Sequence, residues 1–200
     1  MSQESLHTRH TLLQKICNQH DDKAWEDFVY YYEKYIYLIC RRTNLDHHEA
    51  QELVQQVMIK LWKKLPEFKV NKNKRFRSWL CTVTRNTIMD YFRGKQRRDT
   101  RLEKAYDNDA WAYYREDSLP EFEALTEREW ENYLVNMALQ NLKGKVSEKM
   151  YNVFLELQKG KLHKQISEEM EMQLNSVYVY QKRMTAKLKE EVKRLSQELS

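Results

Sequence analysis

Ala50-Gln-Glu-Leu-Val-Gln-Gln-Val-Met-Ile-Lys-Leu61 decides what kind of chain this is. Its apolar residues Ala50, Leu53, Val54, Val57, Met58 and Leu61 recur every three or four positions, the period of a helix with one buried face. Pro66 stops that helix, because it has no N–H to donate and biases Leu65 away from helical backbone. Upstream, Ala24, Trp25, Phe28, Tyr31, Tyr32, Tyr35, Leu38 and Ile39 mark a first long helix of the same kind. Downstream, residues 68–75 are basic and aperiodic and read as a loop. A third helix then runs from about Phe76 to Phe92. Its projection places Phe76, Trp79, Leu80, Val83 and Tyr91 inside, with Asp90 on that buried side. Ser78, Thr82, Arg85, Met89 and Arg93 lie outside, flanked by Asn86.

The composition agrees. Only 3 glycines and 2 prolines in 200 residues leave too few turn formers for an all-β fold. Gly94, Gly144 and Gly160 are isolated, so no GxxxxGK[ST] or GxGxxG phosphate cradle exists and no nucleotide cofactor is expected. No apolar run approaches the roughly 18 residues of a membrane span, so no membrane insertion is expected. The first ten residues lack the apolar core of a signal peptide. Cys17, Cys40 and Cys81 form no CxxC and read as reduced thiols, which points to the cytoplasm. His7, His10, His47 and His48, with Cys40 nearby, are the best metal candidates. Their spacing suits no metal site, and the acidic pairs Glu168-Glu169 and Glu190-Glu191 fit solvated helix faces rather than an acid/base pair. Neither an enzyme nor a cofactor is expected.

Charge is unevenly spread. Residues 60–101 hold 14 basic and 3 acidic side chains, net +11, interleaved with Phe68, Phe76, Trp79, Tyr91 and Phe92. That combination suits a polyanion with bases to stack. Residues 102–131 are net −7.

The acidic stretch 99–125 matches neither helical nor strand period and reads as a flexible linker, although Trp111, Tyr113 and Tyr114 lie within it. Helices near 126–142, 147–158, 162–170 and 175–197 follow. The last two, a short and a long helix about four residues apart, have helix-turn-helix spacing. On the last helix Val177, Met184, Leu188 and Leu195 share the inward face. Asn175, Ser176, Val179, Lys182 and Arg183 lie opposite, with Tyr178 at the edge. Amides, hydroxyls and cations on the first turns of a helix suit a DNA major groove. The expected fold is all-α: two small helical domains joined by a flexible acidic linker, the second containing the helix-turn-helix.

Three segments resemble the sigma-70 family of bacterial transcription initiation factors, specifically its small extracytoplasmic-function (ECF) class. Glu49-Ala-Gln-Glu-Leu-Val-Gln-Gln-Val-Met-Ile-Lys-Leu-Trp62 is similar, without a gap, to that family's DAEDLVQEVFLKLW helix. Phe76-Arg-Ser-Trp-Leu-Cys-Thr-Val-Thr-Arg-Asn86 with Asp90-Tyr-Phe-Arg93 is similar to FRAWLYRIARN…DYLR. Gly160 to Val177 resembles the family's turn and recognition helix, G-x-S-x-x-E-I-A-x-x-L-G-I-S-x-G-T-V. Gln56, Gln165, Glu171 and Tyr180 depart from the family's usual residues. Glu171 stands where a glycine serves a positive φ.

The resemblance implies an N-terminal arm (1–19), a region 2 domain (20–98), the linker (99–125) and a region 4 domain (126–200). It implies a protein that binds bacterial core RNA polymerase, through the β′ clamp and the β flap, and directs promoter recognition and DNA melting. An anti-sigma factor is a further candidate partner. Gln51, Glu52, Gln55, Gln56 and Trp62 are the candidates for the polymerase face. Lys72, Asn73, Lys74, Arg75, Arg77, Arg85, Asn86 and Arg93 are those for −10 DNA. Asn175, Ser176, Tyr178, Val179, Lys182 and Arg183 are those for −35 DNA. A stand-alone helix-turn-helix regulator is the alternative; it explains residues 160–189 but gives 49–93 no task.

Overall fold

The computed structural model describes residues 15–16, 21–68, 76–99 and 119–199, and every regular element named among them is helical. They are α1 (Asp22–Arg42), α2 (His47–Lys64), a 3-10 turn (Leu65–Glu67), α3 (Phe76–Asp99), α4 (Leu119–Leu142), α5 (Glu148–Gln158), α6 (His163–Glu169) and α7 (Leu174–Leu199). The chain divides into two compact units, one reaching to Glu131 and one of Asn132–Leu199. Lys72, Asn73, Lys74, Arg75, Trp111, Tyr113 and Tyr114, with the N-terminal arm up to residue 14, lie outside the described residues.

In the first unit, side chains start the helices. Asp21 caps α1 by accepting from the Ala24 N–H at 3.0 Å. Asp46 and Glu49 form a reciprocal capping box on α2, each carboxylate accepting the other's backbone N–H. Pro66 ends α2 as the sequence implies, and the chain leaves through the 3-10 turn. The apolar faces of the helices meet in a core that includes Phe28, Tyr35, Ile39, Leu53, Leu61 and Leu80. Aromatic rings tie it together: Trp25 meets Trp62 edge-on at 4.8 Å, and Phe76 meets Phe28 at 5.8 Å and Tyr32 at 5.4 Å.

Two expectations for α3 need correction. Asp90 is exposed, not buried, and Met89 is buried, not exposed. The inward stripe drifts along this 24-residue helix: Phe76, Leu80, Val83, Thr84, Thr87 and Ile88 carry it, and past Thr87 it has turned toward Met89 and Phe92. Buried Thr84 and Thr87 were invisible to an apolar count. Each satisfies its hydroxyl by donating to the carbonyl four residues back, Leu80 at 2.9 Å and Val83 at 2.8 Å.

A larger difference lies at α4. The sequence reading ends the linker at 125, yet the helix begins at Leu119 and its first part belongs to the first unit. Pro120 fits the opening turn, where its missing N–H has no partner to lose, and Glu121 sits at the positive end of the helix dipole. Phe122, Thr126, Glu129 and Trp130 are all buried. Their spacing of four, three and one is helical, but two of the four are polar, so apolar periodicity alone misses the stripe.

In the second unit, Leu142, Met150, Phe154 and Met184 form one buried cluster. Val153, Ile166 and Val177 form another, and Tyr180 packs against both. Ser147 caps α5 by accepting from the Met150 N–H at 3.3 Å. The helix ends in a Schellman turn: the Lys161 N–H reaches the Glu156 carbonyl, and the Gly160 N–H reaches that of Leu157. Gly160 holds φ +87° there, a value side-chain-bearing residues rarely adopt. Glu171 holds φ 47° in the turn between α6 and α7 without being glycine. Ser167 secures that turn, donating its hydroxyl to the Met172 carbonyl at 2.6 Å and accepting the Met172 N–H at its own carbonyl.

Candidate nucleic-acid interface

The polymerase-face candidates share the outer side of α2. Gln51, Glu52 and Gln55 are exposed, Gln56 and Trp62 half-buried, while Leu53 and Val57 opposite them are fully buried. Gln56 donates its side-chain amide to Glu52 at 3.1 Å. Trp62 is partly committed to Trp25 by the edge-on contact at 4.8 Å. Beside this surface, α1 and α2 enclose a cleft of about 430 Å³ lined by Lys34, Tyr37, His47, Gln51, Val54 and Gln55. The Tyr37 hydroxyl meets His47 Nδ1 there at 2.9 Å. Ile59 went unremarked in the sequence, yet it is 55% exposed. It follows Glu52, Gln55 and Gln56 by seven, four and three residues, so an apolar residue in phase with the polar face was the available signal.

On α3 the −10 candidates separate. Asn86 and Arg93 are exposed, and Arg85 is half-buried. Arg77 is not an outward cation: its side chain is only 10% exposed, and its Nη2 lies 3.0 Å from the Glu127 carboxylate. Its guanidinium also sits 5.2 Å from the centre of the Trp130 ring. Arg85 and Arg77 line a second cleft, of about 450 Å³, with Ser78, Thr82, Glu123 and Glu127. Asp90 pairs with Lys60 at 3.1 Å and lies 3.9 Å from Arg93. Trp79 is half-buried and rests on Phe68 at 4.7 Å, so the aromatic residues flanking segment 69–75 meet each other.

Far along α3, Tyr91 and Lys95 reach back to the start of α2. Both donate to Glu49 Oε1 at 2.7 Å, while the Asp46 N–H donates to Oε2. Burial pushes the Glu49 carboxyl up, but the donors Lys95, Asp46 and Tyr91 outweigh it and hold the group at about 2. Tyr91 is pushed up to about 12 by burial and by its bond to that carboxylate. The carboxyl is depressed relative to an unfolded chain, so its stabilising effect is complete above about pH 4.5 and is lost as pH falls toward about 2. We expect about 1–2 kcal/mol after solvent screening. Unfolding measured in urea from pH 7 to pH 2.5 should therefore show a steeper acid loss in the wild type than in Glu49→Gln. Parallel pH profiles would contradict this.

Buried Cys40 has its thiol pushed up to about 12 by burial, and burial likewise raises Cys81. Both are protonated at neutral pH and are poor nucleophiles.

In the second unit α6 and α7 are joined by residues 170–173 and held by Ile166 and Val177. Asn175, Tyr178, Lys182 and Arg183 are exposed and Ser176 and Val179 half-buried. The six lie on the first three turns of α7, away from buried Val177 and Met184. Tyr178 is stacked at 4.2 Å on His163, whose Nε2 meets Gln181 at 2.8 Å. His163 and Gln181 thus fix the aromatic edge of this face, which the sequence reading did not foresee.

Comparison with known proteins bears on the first unit. Residues 28–98 match the sigma-70 region 2 family. The ECF RNA polymerase sigma factor SigW of Bacillus subtilis is 30% identical over 76 residues, which is 38% of this chain and 40% of that relative. Residues 28–98 are thus similar to a sigma-70 region 2 domain. The match takes in α1 from Phe28 onward, the whole of α2 and all but the last residue of α3, so the α2 and α3 faces described above lie within it. The match ends before residues 119–131, which the fold nevertheless packs against region 2 through Thr126, Glu127, Glu129 and Trp130.

Proposed function

We propose that this chain is a bacterial sigma factor that binds core RNA polymerase and directs promoter recognition and melting, acting in the cytoplasm. The observation that carries this is the region 2 match over residues 28–98, which takes in the basic stretch 69–75 of the sequence and nearly all of α3 with exposed Arg93 and half-buried Arg85. Among the described residues no helix is long and apolar enough to cross a membrane.

The outer face of α2 docks on the polymerase, with Gln51, Glu52, Gln55, Gln56 and Trp62 in contact. Arg85, Arg93 and the cations of 72–75 hold phosphates of the −10 element. Such contacts fix register without reading sequence. Melting needs no ATP if bases are captured as they leave the stack. Unstacking costs a few kcal/mol, about what one or two stacking pockets at roughly 1–3 kcal/mol each return. In the second unit α6 and α7 form a helix-turn-helix that reads the −35 element: Asn175, Lys182 and Arg183 reach base edges or phosphates, and Tyr178 braces the face. An anti-sigma factor is the partner expected to cover these faces when transcription is not wanted.

In vitro transcription with purified bacterial core polymerase and a library of randomised promoters tests this reading. Transcripts that require the protein and share two upstream motifs are the expected result. Arg85→Ala should lower their yield at least tenfold, and Asn175→Ala should change the upstream motif. No binding to core polymerase, together with tight binding to one DNA site, would replace the sigma reading with that of a stand-alone regulator.

A further inference from the structure

We propose that residues 119–131, the first half of α4, stand in for nucleic acid on the basic face of α3, so that this acidic helix and a DNA strand compete for Arg77 and the cleft beside it. The proposal rests on the reading that α3 binds promoter DNA. Within 119–131 there are five carboxylates, at Glu121, Glu123, Glu127, Glu129 and Glu131, against the single cation Arg128. Two of them are engaged with arginines of other helices. Glu127 lies 3.0 Å from Arg77 of α3, and Glu129, almost wholly buried, lies 2.7 Å from Arg42 of α1.

The cleft shows how the two surfaces face each other. One wall is α3, presenting Arg77, Ser78, Thr82 and Arg85; the other is the acidic helix, presenting Glu123 and Glu127. Guanidinium and hydroxyl groups at one helical face are what a phosphodiester strand would grip. Carboxylates now hold that position, and Trp130 roofs the Arg77 guanidinium. Arg77 therefore cannot reach a phosphate while the helix is seated. The seat itself is made by Phe122, Trp130 and the Tyr35 hydroxyl, which donates to the Thr126 carbonyl at 3.0 Å. Anchoring contacts and charge contacts are thus carried by different residues. Weakening the charges need not remove the anchor.

The test uses the full chain, a fluorescein-labelled single-stranded DNA of mixed sequence, and anisotropy at several salt concentrations. In Glu127→Gln/Glu129→Gln the side chains keep their size and can still accept from Arg77 and Arg42, but the competing charge is gone. We expect affinity to rise about tenfold. The plot of log affinity against log salt should steepen by about 0.7, the contribution of one phosphate newly gripped on a single strand. Glu121→Gln/Glu131→Gln changes net charge equally at two exposed positions of the same helix and should move affinity less than twofold. Equal effects from the two pairs, or none from either, overturn the proposal.

Hydrogen exchange on the wild-type protein supplies an arm that needs no variant. Amides of 122–130 should exchange faster when the DNA is added; unchanged or slower exchange overturns the proposal. The underlying reading fails differently. If Arg85→Ala and Arg93→Ala leave wild-type DNA binding unaltered, α3 is not the DNA surface and both fall together.

Discussion

Replacing Trp130 with alanine is expected to destabilise the first unit by about 3–5 kcal/mol, the range for removing a large ring from a packed core. The ring is 1% exposed. It lies edge-on to Tyr35 at 4.9 Å, parallel to Tyr32 at 6.2 Å, and beneath the Arg77 guanidinium. Its loss leaves a cavity bounded by rings that cannot collapse into it, and it strips the cover from a buried cation already held by Glu127. Trp130→Phe should recover part of the loss, since it keeps an aromatic face for Tyr35 and Arg77. Urea unfolding followed by circular dichroism checks both variants. A loss below about 1 kcal/mol for the alanine variant would mean that residues 119–131 are not part of the folded first unit.

Val177→Asp should unfold the α6–α7 pair. Val177 is fully buried in an apolar cluster with Val153 and Ile166. An unpaired carboxylate forced into such a place costs several kcal/mol, comparable with the whole stability of a small domain. Limited proteolysis with mass spectrometry should then find new cuts within 160–180, while α1, α2 and α3 stay protected. Uniform protection would mean that this cluster does not hold the second unit together. Lys182→Ala/Arg183→Ala should instead leave unfolding within about 0.5 kcal/mol of wild type, because both side chains are exposed. Its effect should fall on DNA binding alone.

These expectations divide along what the sequence could and could not reveal. The period of Ala50 to Leu61 and the proline at 66 were enough to place α2 to within a few residues at either end. The split of α7 into an inward face of Val177, Met184, Leu188 and Leu195 and an outward face led by Asn175 and Lys182 was equally legible. Each of these signals is local: side chains three or four apart, a missing N–H. The resemblance to sigma-70 region 2 was legible for the same reason, since its motifs are contiguous stretches of single helices.

Tertiary structure alone decided the rest. Arg77 and Arg85 are indistinguishable as letters on one helix. Which of them is buried depends on Glu127 and Trp130, some fifty residues away, and on whether that segment is helical at all. Residues 119–125 looked like linker because their stripe is completed by two polar residues, Thr126, whose hydroxyl donates to the Glu123 carbonyl, and Glu129, whose carboxylate is paired with Arg42. Asp90 and Met89 exchanged places because the inward face of a long helix follows its neighbours' packing rather than a fixed 100° step. Local periodicity determines that a helix forms. Long-range pairing of charges and rings determines which of its faces remains free to work.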